Sequence, residues 1–171
     1  HQPWTGPVAW YEAHVTSGEG LDMSGGLFPI APFPLNGHNG VLGWANTVNR
    51  PDLIDVYRLQ LAEGGYRFDG RTLPLASRRV WLKVRFGPLV LPVPRTVHRS
   101  VHGPVIKNEA GAFAVRYGGI GEIAQVEQYY RLAKARSYAD WISAMRLARI
   151  PATNFIYADA TGRIAFFYNA R

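Results

Sequence analysis

Two carboxylates three residues apart, Asp52 and Asp55, have no lysine beside them and follow the break made by Asn49, Arg50 and Pro51. Calcium takes hard oxygen ligands, and closely spaced carboxylates with an intervening peptide carbonyl supply them. The same residues also read as a plain turn, since Pro51 removes a backbone donor and Asp52 can close an Asx-turn. Upstream, Asn36 with Gly37 and Asn39 with Gly40 are two turn signals framing His38. His14, His38, His98 and His102 show no helical i, i+4 pairing. His98 and His102 would share one face of a continuous strand, which leaves a two-ligand zinc site incomplete. Structural hydrogen bonding is the role expected of each. Ser100 has histidines on either side but no acidic orienter at suitable spacing, so a catalytic triad is rejected.

The chain that must position these groups has 171 residues, 47% hydrophobic and 13% aromatic, which excludes a disordered polymer and is enough to bury a core. No apolar run approaches the length of a membrane span and no signal peptide opens the sequence. The first residue is His1 rather than methionine, which reads as a processed product or a fragment. There is no cysteine, hence no disulfide. A net charge of +7 raises the question of nucleic acid, but the arginines are dispersed. The densest run, Arg78 and Arg79, reads as a solvated strand edge rather than a binding stripe.

Patterning divides the chain in two. Residues 8–15 alternate around Trp10, residues 41–48 are largely apolar, and residues 54–61 place Ile54, Val56, Leu59 and Leu61 among polar partners. The clearest half-buried strand signal is Val80, Leu82, Val84 and Phe86 alternating with Trp81, Lys83 and Arg85. Gly87 with Pro88, then Pro92 and Pro94, punctuate the chain before residues 95–101 alternate again. Residues 105 onward and 112–117 add two strands. From Glu122 the spacing changes to threes and fours, and Ile123, Val126, Tyr130 and Ala133 form one helical face. Ser137 and Asp140 cap a second helix with Trp141, Met145 and Ala148 as its buried stripe. Pro151 stops it, and a hairpin follows with its turn at residues 159–162. The reading is an α+β fold, strand-rich with two helices, in a single partial domain over residues 1–171.

The run from Asn36 to Tyr57, with its Gly37-His38-Asn39 triplet, Trp44, and Asp52 with Asp55, resembles the penicillin acylase family of N-terminal nucleophile hydrolases, in particular its acyl-homoserine-lactone acylase branch. The resemblance spans essentially the whole chain, including Tyr157, Ala158, Asp159, Gly162 and Ile164. It implies a four-layer αββα sandwich of which this is an internal part of the catalytic β chain. It further implies an acyl-enzyme on an N-terminal serine whose own amine serves as base, a serine that this chain does not contain. His1 falls on a position that hydrogen-bonds near that nucleophile, and Val48 on one whose main-chain N–H serves the oxyanion hole. Asp52, Asp55 and the carbonyl of Ile54 match a calcium loop. Acyl-pocket positions fall on Gln2, Phe28, Ala31, Leu35 and Ala152, with Gln2 polar where relatives often carry phenylalanine.

The resemblance therefore implies an amide hydrolase of N-acyl homoserine lactones or of β-lactam side chains, with structural calcium. It implies assembly with the α chain and the rest of the β chain of one precursor, self-cleavage, and a periplasmic or secreted location. The fragment alone is expected to be inactive, with apolar strands left exposed around residues 8–15 and 164–168. The alternatives are an inactive relative and a non-catalytic, basic, β-rich module binding glycans or nucleic acid. The last predicts a fragment that folds and binds alone.

Overall fold

The computed structural model describes residues 5–29 and 31–169. In chain order the strands are β1 (Tyr11–Thr16), β2 (Asp22–Leu27), β3 (Asn36–His38), β4 (Leu42–Val48), β5 (Ile54–Leu59), β6 (Leu61–Ala62), β7 (Gly65–Phe68), β8 (Arg71–Leu73), β9 (Ala76–Phe86), β10 (Leu89–Ser100), β11 (Gly103–Asn108) and β12 (Gly111–Tyr117). Helices α1 (Gln125–Lys134) and α2 (Tyr138–Met145) come next, then β13 (Thr153–Asp159) and β14 (Ile164–Asn169). The chain forms two compact units, residues 1–52 with 121–171, and residues 53–120.

The first unit is an antiparallel sheet of order β1-β2-β3-β4-β13-β14 with both helices packed on one face. Period-two alternation sends Leu42 and Trp44 of β4, and Phe155 and Tyr157 of β13, to the helices. Trp141 of α2 sits at the centre, its ring 4.9 Å from Tyr157, 5.0 Å from Phe167 and 5.8 Å from Phe155. The opposite sheet face carries Ile156, Ile164, Phe166 and Tyr168, all exposed, as expected for residues 164–168. Val8, Trp10 and Tyr11 are exposed too.

Several expectations about local structure need correcting. Asn36 with Gly37 is not a turn but part of β3, whose backbone runs so close to β2 that a Cβ on Gly37 would lie 2.0 Å from the Ser24 carbonyl oxygen. The buried face of α1 is Gln128, Leu132 and Ala133, whereas Ile123 is 79% exposed and Val126 is exposed. Gln128 hid this face because its buried amide counts as polar. Its Oε1 accepts from the N–H groups of Arg149 (2.6 Å) and Ile150 (3.0 Å), and its Nε2 donates to the Met145 carbonyl (3.2 Å). A buried amide satisfied in this way carries little penalty. In α2 the Ser137 cap is present, its Oγ accepting from the Asp140 N–H at 3.1 Å. The helix ends earlier than the sequence pattern, with Ala148 at φ 50°, and its buried pair is Trp141 and Ala144.

The second unit has a five-stranded antiparallel sheet, β5-β12-β11-β10-β9, and a small sheet β6-β7-β8, over a core of Leu59, Tyr66, Val105, Ala112 and Ala114. Here Leu82 and Phe86 are exposed, so the strand with the strongest alternation is not half-buried among the described residues. Pro92 and Pro94 do not interrupt the chain either; both lie inside β10. Arg99 stands opposite Pro104, which has no N–H, so odd-numbered residues of β10 donate toward β9 and even-numbered ones toward β11. β11 pairs only with residues from His98 to Ser100, so the missing N–H groups of Pro92 and Pro94 face no partner strand. Ser100 closes β10 and leads into a turn, its Oγ donating to the Gly103 carbonyl, so His98 and His102 do not share a strand.

The β13–β14 turn is organised by Asp159. Its Oδ1 accepts from the Thr161 hydroxyl (2.6 Å) and from the N–H groups of Thr161 (3.0 Å) and Arg163 (3.2 Å), while its Oδ2 accepts from the buried Tyr157 hydroxyl (2.8 Å). These donors, the Thr161 hydroxyl foremost, lower the carboxyl from its ordinary 3.8 to about 2. A depressed acid stabilises the fold above its unfolded pKa and loses that contribution as the pH falls through its folded value. The hairpin should therefore loosen between pH 3.8 and about 2. Amide exchange of residues 157–164 measured across that window should rise, and Asp159→Asn should flatten the profile. An acid profile unchanged by that substitution would assign the transition to other carboxylates.

Candidate functional site

Ends of five chain segments converge beside β4 on a cavity of about 530 Å³. One wall is apolar: the rings of Trp10 and Phe28 stack with centroids 4.1 Å apart, and Leu35 stands beside them. A Cβ at Gly26 of β2 would sit 3.2 Å from the Trp10 indole, so any other residue there would make the ring give by a few tenths of an ångström. The loop from Phe28 to Leu35 is held by hydrogen bonds from the Ala31 N–H to the Phe28 carbonyl (3.0 Å) and from the Leu35 N–H to the Gly26 carbonyl (2.9 Å). The Leu35 carbonyl in turn accepts from the Trp44 indole N–H at 2.9 Å, which ties the wall to the core.

The lining also includes polar side chains: Asn36, Asn46 and Tyr129. Thr47, Val48 and Thr153 complete the lining where β4 ends and β13 begins. The Asn46 N–H donates to Asn36 Oδ1 at 2.6 Å, which fixes it on the β3 edge of β4. Successive N–H groups leave a strand on alternate edges, so the Val48 N–H leaves on that same edge. β3 pairs with β4 only at Gly43 and Trp44, so among the described residues no strand receives the Val48 N–H. It is directed toward the side on which Leu35 and Asn36 line the cavity. A fixed backbone donor at the mouth of an apolar cavity can stabilise negative charge developing on a carbonyl oxygen.

The cavity thus brings together Phe28, Leu35 and Val48. Ala31 lies in the loop between the first two, and Ala152, at φ 43°, immediately precedes Thr153; neither is among the lining residues described. His1 and Gln2 lie outside the described residues. Trp10, Asn46, Tyr129 and Thr153 were not singled out by sequence reasoning. Trp10 centres the alternating pattern of residues 8–15 and Tyr129 adjoins the helical one, but which face they join depends on neighbours far along the chain.

Asn39, the third residue of the Gly-His-Asn triplet, has a structural explanation. It is buried; its Nδ2 donates to the carbonyls of Ala133 (2.9 Å) and Ala135 (2.7 Å) at the end of α1, and its Oδ1 accepts from the N–H groups of Val41 (3.2 Å) and Leu42 (3.1 Å). One side chain therefore satisfies otherwise open helix carbonyls and starts β4 in register. The histidines hydrogen-bond or stack: His14 contacts Asp22 at 2.6 Å, His98 contacts Ser77 at 2.7 Å, and His102 stacks on Tyr57 at 4.0 Å. His38 is exposed.

The acidic pair is less complete. Asp52 and Asp55 are both exposed, Ile54 and Asp55 open β5, and Asp55 stands opposite Arg116 with the Tyr57 hydroxyl 3.4 Å away. No group of three or more His, Cys, Asp or Glu side chains gathers among the described residues. Calcium takes about six to eight oxygen ligands, so two carboxylates and the Ile54 carbonyl do not hold it by themselves.

Comparison with known proteins agrees with this architecture. The penicillin amidase family model matches residues 1–171. The chain is 29% identical to the acyl-homoserine lactone acylase PvdQ of Pseudomonas fluorescens over 97% of its own length and 23% of that protein's. It is 29% identical to the penicillin G acylase of Escherichia coli, over 93% of this chain and 20% of that protein. The chain thus spans less than a quarter of the curated relatives it matches. Among solved structures, a thermostable penicillin G acylase from Alcaligenes faecalis superposes with a TM-score of 0.81 at 24% identity, covering 99% of this chain and 31% of that one. With the family matched from end to end and the strand-rich fold shared, the chain belongs to the penicillin amidase family.

Proposed function

We propose that the intact protein is an acylase that cleaves N-acyl amides, such as N-acyl homoserine lactones or β-lactam side chains, through an acyl-enzyme on an N-terminal serine. The observation carrying this reading is the Val48 N–H on the open edge of β4, beside a cavity that the Trp10–Phe28 stack also lines. The acyl arm lies against Phe28 and Leu35 with its carbonyl oxygen at Val48. Attack by the serine hydroxyl forms the ester C–O bond and places negative charge on that oxygen, where the Val48 N–H stabilises it. Collapse breaks the C–N bond, and the departing amine takes the proton. Water then hydrolyses the ester and restores the serine. In this reading His1 tunes the nucleophile's amine, and Gln2, Ala31 and Ala152 contribute to acyl-arm specificity.

The exposed apolar sheet face of Ile156, Phe166 and Tyr168 supports a second sheet packing there in the whole protein, as in a four-layer αββα sandwich. The remaining layers come from the α chain and the rest of the β chain. Calcium, where bound, rests on Asp52, Asp55 and the Ile54 carbonyl together with oxygen ligands from outside this chain. The reading places the mature enzyme in the periplasm or outside the cell after self-cleavage. No helix among the described residues is long and apolar enough to cross a membrane. A built cavity with a directed backbone donor favours an enzyme over a basic binding module.

The test is mass spectrometry and N-terminal sequencing of every chain in the native preparation, followed by hydrolysis assays on N-acyl homoserine lactones and penicillin G. A chain beginning with serine upstream of His1, beside a smaller companion, and release of free acid are expected. A single species with no such serine, or a processed enzyme that cleaves neither substrate class, would overturn the reading.

A further inference from the structure

The arginines that are dispersed along the sequence are gathered by the second unit. Residues 53–120 hold eleven of the 19 Lys and Arg against four of the 12 Asp and Glu, so the whole net charge of +7 resides there. No carboxylate occurs between Asp69 and Glu109, and Arg78, Arg79, Lys83, Arg85, Arg95 and Arg99 all lie on the β9–β10 hairpin. Among the described residues none of these six pairs with an acid. Register then sorts the hairpin into two faces. Leu89 stands opposite Phe86, Leu91 opposite Val84, Val93 opposite Leu82 and Arg95 opposite Val80, and residues opposite one another share a face. That face is wholly apolar from Val80 out to the tip and basic at its root, where Arg78, Arg95 and Arg99 lie. Phe86 and Leu89 at the tip are 54% and 61% exposed. β11 meets β10 only from His98 to Ser100, so the ribbon runs on for about 30 Å past that pairing, at about 3.3 Å per residue.

We propose that the β9–β10 hairpin docks on an anionic lipid surface, its apolar tip entering the boundary between headgroups and acyl chains while its cations meet the phosphates. Hydrocarbon beneath a layer of negative charge complements a contiguous apolar strip bordered by unpaired cations. The opposite face adds Arg79, Lys83 and Arg85 around Trp81, which is 63% exposed and of the type that sits at headgroup level. A nucleic-acid backbone would match these cations but leave the apolar strip unmatched. Pro92 and Pro94 lack the N–H groups that a strand added on the β11 side would need, so the faces rather than that edge are left to bind. β9 closes its sheet with no partner on its outer side among the described residues, so the ribbon lies in the interface and does not span the hydrocarbon.

The test is co-sedimentation of the intact mature protein with vesicles of phosphatidylglycerol or of phosphatidylcholine in the same buffer. Phosphatidylglycerol should bind roughly a hundredfold tighter, the worth of three cations near a charged surface. Joint replacement Phe86→Ser and Leu89→Ser should weaken that binding about tenfold or more, through lost apolar burial. In a separate variant, Leu89→Cys should react with a water-soluble maleimide in the free protein and be shielded by phosphatidylglycerol vesicles, the labelled peptide being located by mass spectrometry. Equal sedimentation with the two lipids, or with neither, would overturn the proposal whether or not a variant folds. Binding that survives the serine pair would overturn it as well. A cysteine already shielded in the free protein would give this face to the rest of the precursor, and retention of duplex DNA in place of vesicles would give it to nucleic acid; either result also overturns the proposal.

Discussion

Replacing Val48 by proline in the intact enzyme should lower kcat for amide hydrolysis by roughly 10²–10³-fold, the loss expected when one oxyanion donor is removed. Val48→Ala should remain close to the parent. The contrast follows from where the chemistry resides: the Val48 side chain is 81% exposed, so truncating it disturbs no core. Proline deletes the N–H and fixes φ. That N–H does not bond to β13, since the edge facing β13 is served by Thr47, and among the described residues no strand occupies the other edge at this position. Thr47 is already extended, the conformation required of a residue before proline. The measurement is kcat and KM for both variants, with circular dichroism to verify the fold. Equal activity of the proline and alanine variants would remove Val48 from the oxyanion hole. A KM effect with kcat unchanged would make its contribution uniform binding instead.

Trp141→Ala should destabilise the protein by about 3–5 kcal/mol, the usual cost of truncating a large aromatic side chain in a core. Trp141 is fully buried and touches rings from both β13 and β14 as well as Trp44. Its removal opens a cavity where the helices meet the sheet. Trp141→Phe should cost much less, about 1–2 kcal/mol, because the indole N–H is buried without a partner among the described residues. Replacement by a ring with no donor loses volume but also removes an uncompensated polar group. Urea unfolding midpoints of the two variants check this. A phenylalanine variant as unstable as the alanine one would mean that the N–H is hydrogen-bonded after all.

These two residues illustrate what the one-dimensional pattern could convey. Trp141 was legible: a Ser137 cap and an apolar stripe on the following helix identify it as buried. Residues 41–48 were legible as a strand, and the final hairpin as two strands around residues 159–162. The directed N–H of Val48 was not legible from its own type, since any residue but proline carries one. It entered only through the resemblance of residues 36–57. Tyr129 and Gln128 were missed for a related reason. Helical periodicity identifies a face by counting apolar residues, and here the buried face begins with an amide whose partners, Met145, Arg149 and Ile150, lie in the next helix and the loop after it.

The sequence by itself determined the class of fold, the positions of both helices, most of the strands and the family, because capping residues, turn glycines, alternation and an ordered series of short motifs are all local signals. It also singled out Phe28, Leu35 and Val48. Only the tertiary structure decided that these three share one cavity, that Trp10 and Tyr129 join them, and that Asn39 serves the end of α1. The physical reason is that a hydrogen bond between residues 83 positions apart, such as Asn46 with Tyr129, depends on strand order and register. Those are fixed by packing the whole sheet against its helices and leave no periodic trace in either segment.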